Sequence, residues 1–199
     1  MHITIIGCGY VGLELARQLL ADGHAVVGVR RSETGLDAVE ATGATPVAAD
    51  ATDPDSLSAL PDTDAVVFAA SSGGRGAEAA RAVYVEGLQN VVREYGARAS
   101  PPARLVYTSS TGVYGDHGGD WVDEETSLDP TTDKTRVLAE AERVAREEAA
   151  AVGIDGTVAR FAGLYGPDRY RLGRHPDGPV TAGDLQLGHR CGAAGAARV

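Results

Sequence analysis

The sequence predicts a doubly wound α/β fold, in which helices cover both faces of a parallel sheet. Short apolar runs of strand length alternate with longer amphipathic runs of helix length, a pattern typical of βαβ units. A glycine-rich turn, "GCGYVG", joins the first predicted strand to the first predicted helix. With 199 residues, 43% of them hydrophobic, the chain can bury one full core and carry a small additional segment.

The first four predicted strands alternate with three helices. Gly23 and Gly43 end the first two helices, because glycine is favoured just after a helix. The third helix is short, and Asp53 stands where it can cap the N-terminus. In chain order the elements are strand 2–7, helix 10–23, strand 24–31, helix 32–43, strand 44–50, helix 53–60 and strand 64–70.

Two long helices dominate the second half of the predicted fold. The first of them carries Val83, Leu88, Val91 and Val92 at helical spacing, and the second is strongly helical in composition. In chain order the elements are helix 76–97, strand 103–110, helix 135–153 and strand 155–166, the last with its exit loop.

Charge and composition exclude several classes of partner. A formal charge of −10 repels phosphate backbones and anionic membrane surfaces, so we expect neither nucleic acid nor a membrane as partner. The five histidines are scattered and the two cysteines form no ligand cluster, so no metal site is expected. Lys134 is the only lysine among 18 basic residues. Acidic excess with few lysines fits either a salt-adapted (halophilic) protein or a GC-rich genome.

The chain is expected in the cytoplasm. Cys8 and Cys191 make no disulfide framework, which favours reduced thiols. No segment approaches the roughly 18 unbroken apolar residues that a membrane span needs. The start, "MHITIIGCGY", leads directly into a strand and has no signal-peptide features.

The turn "GCGYVG" predicts a dinucleotide site, because it joins a strand to a helix within a βαβ unit. Gly7 would make the tight turn, Gly9 would let the backbone approach a pyrophosphate, and Gly12 would allow close helix packing. The helix then begins at Tyr10 and Val11, where the N–H groups of the first turn and the positive dipole end favour phosphate. The alternative is an ordinary strand-to-helix turn.

The residues after the second strand bear on the choice between NAD and NADP. An acidic side chain there would bind the ribose 2′-hydroxyl, whereas arginine accommodates a 2′-phosphate. The sequence has Arg30, Arg31 and Ser32, so NADP is favoured over NAD. The alternative is a loop with two solvated arginines.

Two further strand exits complete the predicted cofactor site. Asp50 and Ala51 follow the third strand, where the carboxylate could meet the adenine amino group. Ala69, Ala70 and Ser71 follow the fourth strand, where small side chains let a ribose or nicotinamide lie close to the backbone. A flexible loop is the alternative for the second of these exits.

Taken together, the motifs resemble the extended short-chain dehydrogenase/reductase superfamily, in its NAD-dependent epimerase/dehydratase branch. The resemblance covers about residues 1–170 and implies a Rossmann fold with a smaller C-terminal substrate domain. It also implies hydride transfer on nucleotide sugars or related carbonyl and hydroxyl compounds. The motifs that carry it are "GCGYVG", "VRRS", "DATDPDSL", "YVEGLQNVV", "LVYTSSTGVYGD", "LAEAE" and "RFAGLYGPDR".

The resemblance breaks down at the family's catalytic pair. Ser110 holds the position of the hydroxyl that binds the reacting oxygen. Thr132 stands where the family has its acid/base tyrosine, and Arg136 stands where it has its lysine. A threonine hydroxyl does not ionise accessibly and arginine stays protonated, so neither restores that chemistry. A tyrosine, Tyr84, replaces the family's structural asparagine in "YVEG".

Candidate substitutes lie on the loop after the fifth strand, at the edge of the sheet where ligands bind. His117 has the ordinary pKa best suited to proton transfer near neutrality. The alternative is a glycine- and aspartate-rich loop with one incidental histidine. The candidates are Tyr114, Asp116, His117 and Asp123.

The C-terminal region is expected to be a shortened substrate domain. Residues from about 168 are rich in Gly, Arg and Ala without periodicity, so we predict a Rossmann domain over 1–167 and a short remnant over 168–199. An open pocket and an exposed apolar face would favour a homo-oligomer.

Two functions remain open. One is an atypical NAD(P)-dependent oxidoreductase or epimerase with a small-molecule substrate such as a nucleotide sugar, which the intact "SSTGVYG" edge favours. The other is a non-catalytic dinucleotide-binding or sensing module that acts through assembly or a protein partner, which the missing tyrosine–lysine pair favours.

Overall fold

The computed structural model describes residues 1–164 and 166, apart from residues 74, 75 and 119. Six parallel strands form one sheet in the order β3-β2-β1-β4-β5-β6. A helical crossover connects each strand to the next one along the chain, so the predicted doubly wound Rossmann fold is confirmed. The strands are β1 (His2–Ile6), β2 (Ala25–Arg30), β3 (Thr45–Ala48), β4 (Ala65–Phe68), β5 (Arg104–Ser110) and β6 (Asp155–Phe161).

The helices follow the predicted segments closely, with two internal differences. Each long predicted helix contains a π-helical segment, because apolar spacing does not distinguish i→i+4 from i→i+5 bonding over a single turn. The helices are α1 (Tyr10–Ala21), α2 (Glu33–Glu40), α3 (Pro54–Leu57), α4 (Ala77–Arg81), a π-helical segment (Ala82–Gly87), α5 (Leu88–Gly96), α6 (Asp133–Arg143), a second π-helical segment (Val144–Glu148) and α7 (Ala149–Ala151).

The core forms two layers, one on each face of the sheet. Ile5 belongs to a cluster with Val26 and Val39 beneath α1 and α2. Its neighbour Ile6 belongs to a larger cluster with Phe68 beneath the long helices. Adjacent residues of a strand point to opposite faces, which explains why β1 supplies both layers.

Strand order places a crevice at the middle of the sheet. From β1 the chain runs outward to β2 and β3 on one side, then crosses to β4, β5 and β6 on the other. At such a switch point the connecting loops leave in opposite directions, and ligands bind outside the carboxyl ends of the strands.

The predicted segment 168–199 lies outside the described residues, so the domain boundary stays a prediction. Within the described ranges, no helix is both long and apolar enough to cross a membrane.

Candidate functional site

A cavity of about 970 Å³ opens at the carboxyl ends of the strands. It gathers the glycine-rich loop, the exits of β2 to β5 and the start of α6 into one site. Of the predicted cofactor-binding residues and the residues aligned with the family's catalytic positions, Gly12 and Arg136 do not line it. Those that do are Gly7, Gly9, Tyr10, Val11, Arg30, Arg31, Ser32, Asp50, Ala51, Ala69, Ala70, Ser71, Ser110 and Thr132.

The glycine-rich loop lies against the exit of β4. Gly7 has φ +76°, and a Cβ added there would overlap the Cα atom of Ala70 and lie 2.5 Å from its nitrogen. A Cβ at Gly12 would lie 3.0 Å from Cγ2 of Ile5, so this glycine sets the close approach of α1 to β1. The loop ends at Gly9, the N-cap of α1, whose missing side chain leaves first-turn N–H groups for a ligand.

The two arginines at the end of β2 have different surroundings. Arg30 extends over the glycine-rich loop, where its Nη1 donates to the carbonyl oxygen of Cys8 at 3.2 Å. Arg31 is largely exposed and pairs with Asp50 across the exit of β3 at 3.1 Å. Ser32 caps α2, since its Oγ accepts the N–H of Gly35 at 3.2 Å. Both guanidinium groups therefore line the cavity, that of Arg30 over the loop and that of Arg31 at the exit of β3.

Asp50 is held as a carboxylate at the rim of the cavity. Burial raises its pKa, but hydrogen bonds from the backbone N–H and hydroxyl of Thr52, each at 2.9 Å, together with Arg31, lower it below its usual value. The Asp50 carboxylate also accepts a hydrogen bond from Nη1 of Arg31, which holds the Arg31 guanidinium at the rim of the cavity.

The exit of β5 supplies the hydroxyl groups. Ser110 caps a 3₁₀ turn, Thr111–Tyr114, and its Oγ accepts the N–H of Gly112 at 3.1 Å. The hydroxyl of Ser109, the preceding residue, donates to the fully buried Glu142 at 2.6 Å. The proton of Ser110 is not used in the turn, so this hydroxyl can donate to a ligand oxygen.

A buried charge pair, Glu142 and Arg160, lies next to the exit of β5. Glu142 accepts from Nη2 of Arg160 at 2.7 Å and from its Nε at 3.0 Å. Arg160 also donates from Nη1 to the hydroxyl of Tyr114 at 2.7 Å, and that hydroxyl donates to the carbonyl oxygen of Asp123 at 2.6 Å. Sequence reasoning missed this network, because Glu142 reads as one more polar residue of a charged helix.

The loop candidates for proton transfer do not meet the cavity. Tyr114 is engaged in the network just described, and Oδ1 of Asp116 accepts the N–H of Gly118 at 2.9 Å. His117 packs edge-on against Tyr114, with ring centroids 6.5 Å apart. None of these residues, nor Asp123, belongs to the described cavity lining.

The residues at the family's tyrosine and lysine positions serve the helix instead. Thr132 caps α6 in a capping box, in which its Oγ1 accepts the N–H of Thr135 at 3.1 Å and the Thr135 hydroxyl accepts the N–H of Thr132 at 3.0 Å. Arg136 turns to Asp133, with Nη1 and Oδ1 2.7 Å apart. The structure therefore brings Thr132 to the cavity and leaves Arg136 outside it.

Two cavity residues were not combined by sequence reasoning, namely Tyr84 of the first π-helical segment and Lys134 of α6. The N–H of Ser72 donates to the Tyr84 hydroxyl at 3.3 Å. Only two weak signals pointed to them: Tyr84 occupies an asparagine position of the family, and Lys134 is the single lysine.

A model of the NAD-dependent epimerase/dehydratase family matches residues 3–181. The chain belongs to this family. Protein YeeZ of Escherichia coli (strain K12) is 35% identical to it over 181 residues, which cover 87% of this chain and 61% of YeeZ.

Solved structures agree with the family assignment. A proposed NAD-dependent epimerase/dehydratase from Methylobacillus flagellatus has a TM-score of 0.71 at 34% identity, covering 87% of this chain and 58% of that one. A UDP-galactose 4-epimerase has a TM-score of 0.73 at 23% identity, covering 89% and 64%, and shows the shared fold alone. The chain thus spans about three fifths of the length of YeeZ and of the Methylobacillus protein.

The described residues contain no group of three or more His, Cys, Asp and Glu side chains that could hold a metal ion. The cavity instead offers what a dinucleotide requires: a bare backbone turn at Gly7, N–H groups at the start of α1, and two arginines beside them. Residues of this cavity therefore fit the cofactor that the family name specifies.

Proposed function

We propose that this chain binds NADP(H) and, with it, interconverts a hydroxyl and a carbonyl group on a small substrate of the nucleotide-sugar type. One observation carries the proposal: a single cavity joins Arg30 and the glycine-rich loop to Ser110. Their strands, β2 and β5, are separated by β1 and β4. Three strand spacings amount to about 14 Å, which leaves room for an extended ligand along the strand ends.

Each part of the cavity would hold one part of the ligand. Gly7 and Gly9 would hold the pyrophosphate, and Arg30 and Arg31 would neutralise the 2′-phosphate. The nicotinamide, when bound, supplies the exchange of a hydride with substrate carbon. The Ser110 hydroxyl would donate a hydrogen bond to the substrate oxygen.

The choice of NADP over NAD rests on the two arginines. Hydrogen bonds to a charged group contribute about 1.5–3 kcal/mol each, so losing one or both should weaken NADPH binding at least about tenfold. NADH lacks the 2′-phosphate and should lose little. Calorimetric titration of the Arg30→Ala/Arg31→Ala variant with each dinucleotide measures this difference.

A matched control is Arg104→Ala, which removes an exposed arginine at the opposite end of the sheet, where it pairs with Asp155. This variant should bind both dinucleotides like the wild type. If the double variant at Arg30 and Arg31 lost NADPH and NADH affinity equally, the NADP assignment would be wrong.

A second candidate is a dinucleotide-binding module without catalysis. The engagement of Thr132 as a helix cap and of Arg136 with Asp133 favours it, because neither residue presents proton-transfer chemistry to the cavity. Such a module would bind NADPH but turn over no aldehyde, ketone or UDP-hexose from a substrate panel.

A further inference from the structure

Two side chains capable of proton transfer face the cavity from different helices. Tyr84 belongs to the π-helical segment Ala82–Gly87 and Lys134 to the first turn of α6. Both line the cavity that contains Ser110. Tyr84 supplies an ionisable phenol and Lys134 a cation that lines the cavity, whereas the Thr132 hydroxyl does not ionise accessibly and Arg136 lies outside the cavity.

The backbone at Tyr84 is itself unusual. π-Helical turns are rare and occur often at functional sites, because the extra residue turns a side chain away from its regular helical direction. Contacts on both sides of Tyr84 fix this segment. Asn90 donates from Nδ2 to the carbonyl oxygen of Ala51 at 2.9 Å, which ties the helix to the exit of β3.

A salt bridge fixes the two helices to each other. Nη1 and Nη2 of Arg81, on α4, each donate to one carboxylate oxygen of Glu140, on α6, at 2.6 Å. Arg81 lies one turn before Tyr84, and Glu140 lies further along the helix that carries Lys134. The bridge therefore restricts how far Tyr84 and Lys134 can move apart.

The surroundings of Tyr84 make its hydroxyl easier to ionise than an ordinary phenol. Burial raises the pKa of this half-buried phenol, but the hydrogen bond of Ser72 and the ammonium of Lys134 outweigh burial and lower the pKa below its usual value. Tyr107 of β5, which interacts with it electrostatically, is fully buried and its pKa is raised. Lys134 makes no salt bridge among the described residues, so no paired carboxylate offsets its positive charge at the cavity.

We propose that Tyr84 is the catalytic proton donor and acceptor of this site, and that Lys134 stabilises its phenolate. The inference rests on the proposed function, because the carbon that becomes C–H takes a hydride from the reduced nicotinamide dinucleotide. In the reducing direction the O–H bond of Tyr84 breaks, both electrons stay on Oη, and the proton forms an O–H bond on the substrate carbonyl oxygen. Solvent then returns a proton to Oη, since Tyr84 is only half-buried and lines the open cavity.

The first test needs no substrate. The ultraviolet absorbance of tyrosinate, followed as the pH is raised, should show one tyrosine ionising below the usual value of about 10. Tyr84→Phe should remove this step and Lys134→Met should move it to higher pH. Lys134→Arg keeps the positive charge and should keep the step.

Tyr95→Phe is the matched control, because the Tyr95 phenol lies in the core with its hydroxyl donating to the carbonyl oxygen of Pro61 at 3.4 Å. This variant should retain the early step. A wild type without an early step, or a Tyr84→Phe variant that retains it, would overturn the proposal.

The second test measures turnover, with NADPH oxidation by 9,10-phenanthrenequinone as the carbonyl probe. Tyr84→Phe should lower the rate by about 10²–10⁴, the usual contribution of general acid–base catalysis, with NADPH affinity unchanged. Turnover that survives in Tyr84→Phe would exclude the catalytic role. A wild type that binds NADPH but reduces neither this probe nor the aldehyde, ketone and UDP-hexose panel would exclude it too, and favour the binding module.

These outcomes separate the two proposals. If neither dinucleotide binds to the wild type, the proposed function fails and the catalytic role of Tyr84 falls with it, whatever the titration shows. If NADPH binds but the tyrosine titration shows no early step, only the inference about Tyr84 and Lys134 fails.

Discussion

Removing the buried carboxylate of Glu142 should be among the most destabilising single substitutions in this chain. Glu142 is fully buried and Arg160 is only 12% exposed, so the pair has little access to water. The substitution Glu142→Leu would strand the Arg160 guanidinium, which now makes three hydrogen bonds to the carboxylate at 2.7–3.2 Å. Breaking a buried pair in this way costs about 3–5 kcal/mol.

Urea denaturation followed by circular dichroism measures this cost. With a urea dependence of about 2 kcal/mol per molar, the unfolding midpoint should fall by roughly 2 M. Arg160→Met should cost a similar amount, because it leaves the buried carboxylate of Glu142 with one short hydrogen bond, from Ser109, and with Arg146 no closer than 3.9 Å. Replacing both residues removes the stranded charge, so the double variant should be clearly more stable than the sum of the single losses implies.

The reasoning would be refuted if Glu142→Leu cost less than about 1 kcal/mol, the range of an exposed ion pair. It would also be refuted if the two substitutions added without coupling. Arg104→Met is the control, since its exposed pairing with Asp155 should contribute little.

Three further outcomes follow from single positions. In a Cys191→Ser background, Cys8 should react with a thiol reagent only after unfolding, because burial raises its pKa to about 11 and leaves about one thousandth as thiolate at pH 8; fast labelling of the folded protein would contradict this. Gly7→Ala should abolish dinucleotide binding and lower the free energy of unfolding by more than the control Gly153→Ala does. Gly153 has a similar φ, but no described atom lies within 4 Å of its added Cβ, so this control should cost about 1–2 kcal/mol. The pKa of Asp50 is lowered in the fold, so its contribution should be constant above pH 5 and disappear as the pH falls below about 4. Urea titrations of the wild type and Asp50→Asn across this range measure that change, and a difference that grew on acidification would contradict it.

The sequence predicts the sheet well because its signals are local. Each strand is a short apolar run, and the turn at Gly7 requires a residue that tolerates φ +76° beside a neighbouring backbone. The predicted N-cap Asp53 is confirmed, since its side chain accepts the N–H of Asp55. Local patterns of this kind carry the information about element type and order.

Sequence patterns do not predict contacts between side chains that lie far apart in the chain. Glu140 and Glu142 look alike in "LAEAERV", but one meets Arg81 at the surface and the other meets Arg160 inside. Tyr84 and Lys134 share the cavity although they lie on separate helices, whereas the family's pair lies on one. A search for a tyrosine four residues before a lysine therefore could not find them.

The proposed function depends on the binding of a nicotinamide dinucleotide in the cavity at the carboxyl ends of the strands. Calorimetric titration of the wild-type chain with NADPH and with NADH, at low and at high salt, tests it most directly. We expect one dinucleotide per chain, with NADPH bound more tightly than NADH and the difference reduced by salt. Absence of binding by either dinucleotide at any salt concentration would contradict it.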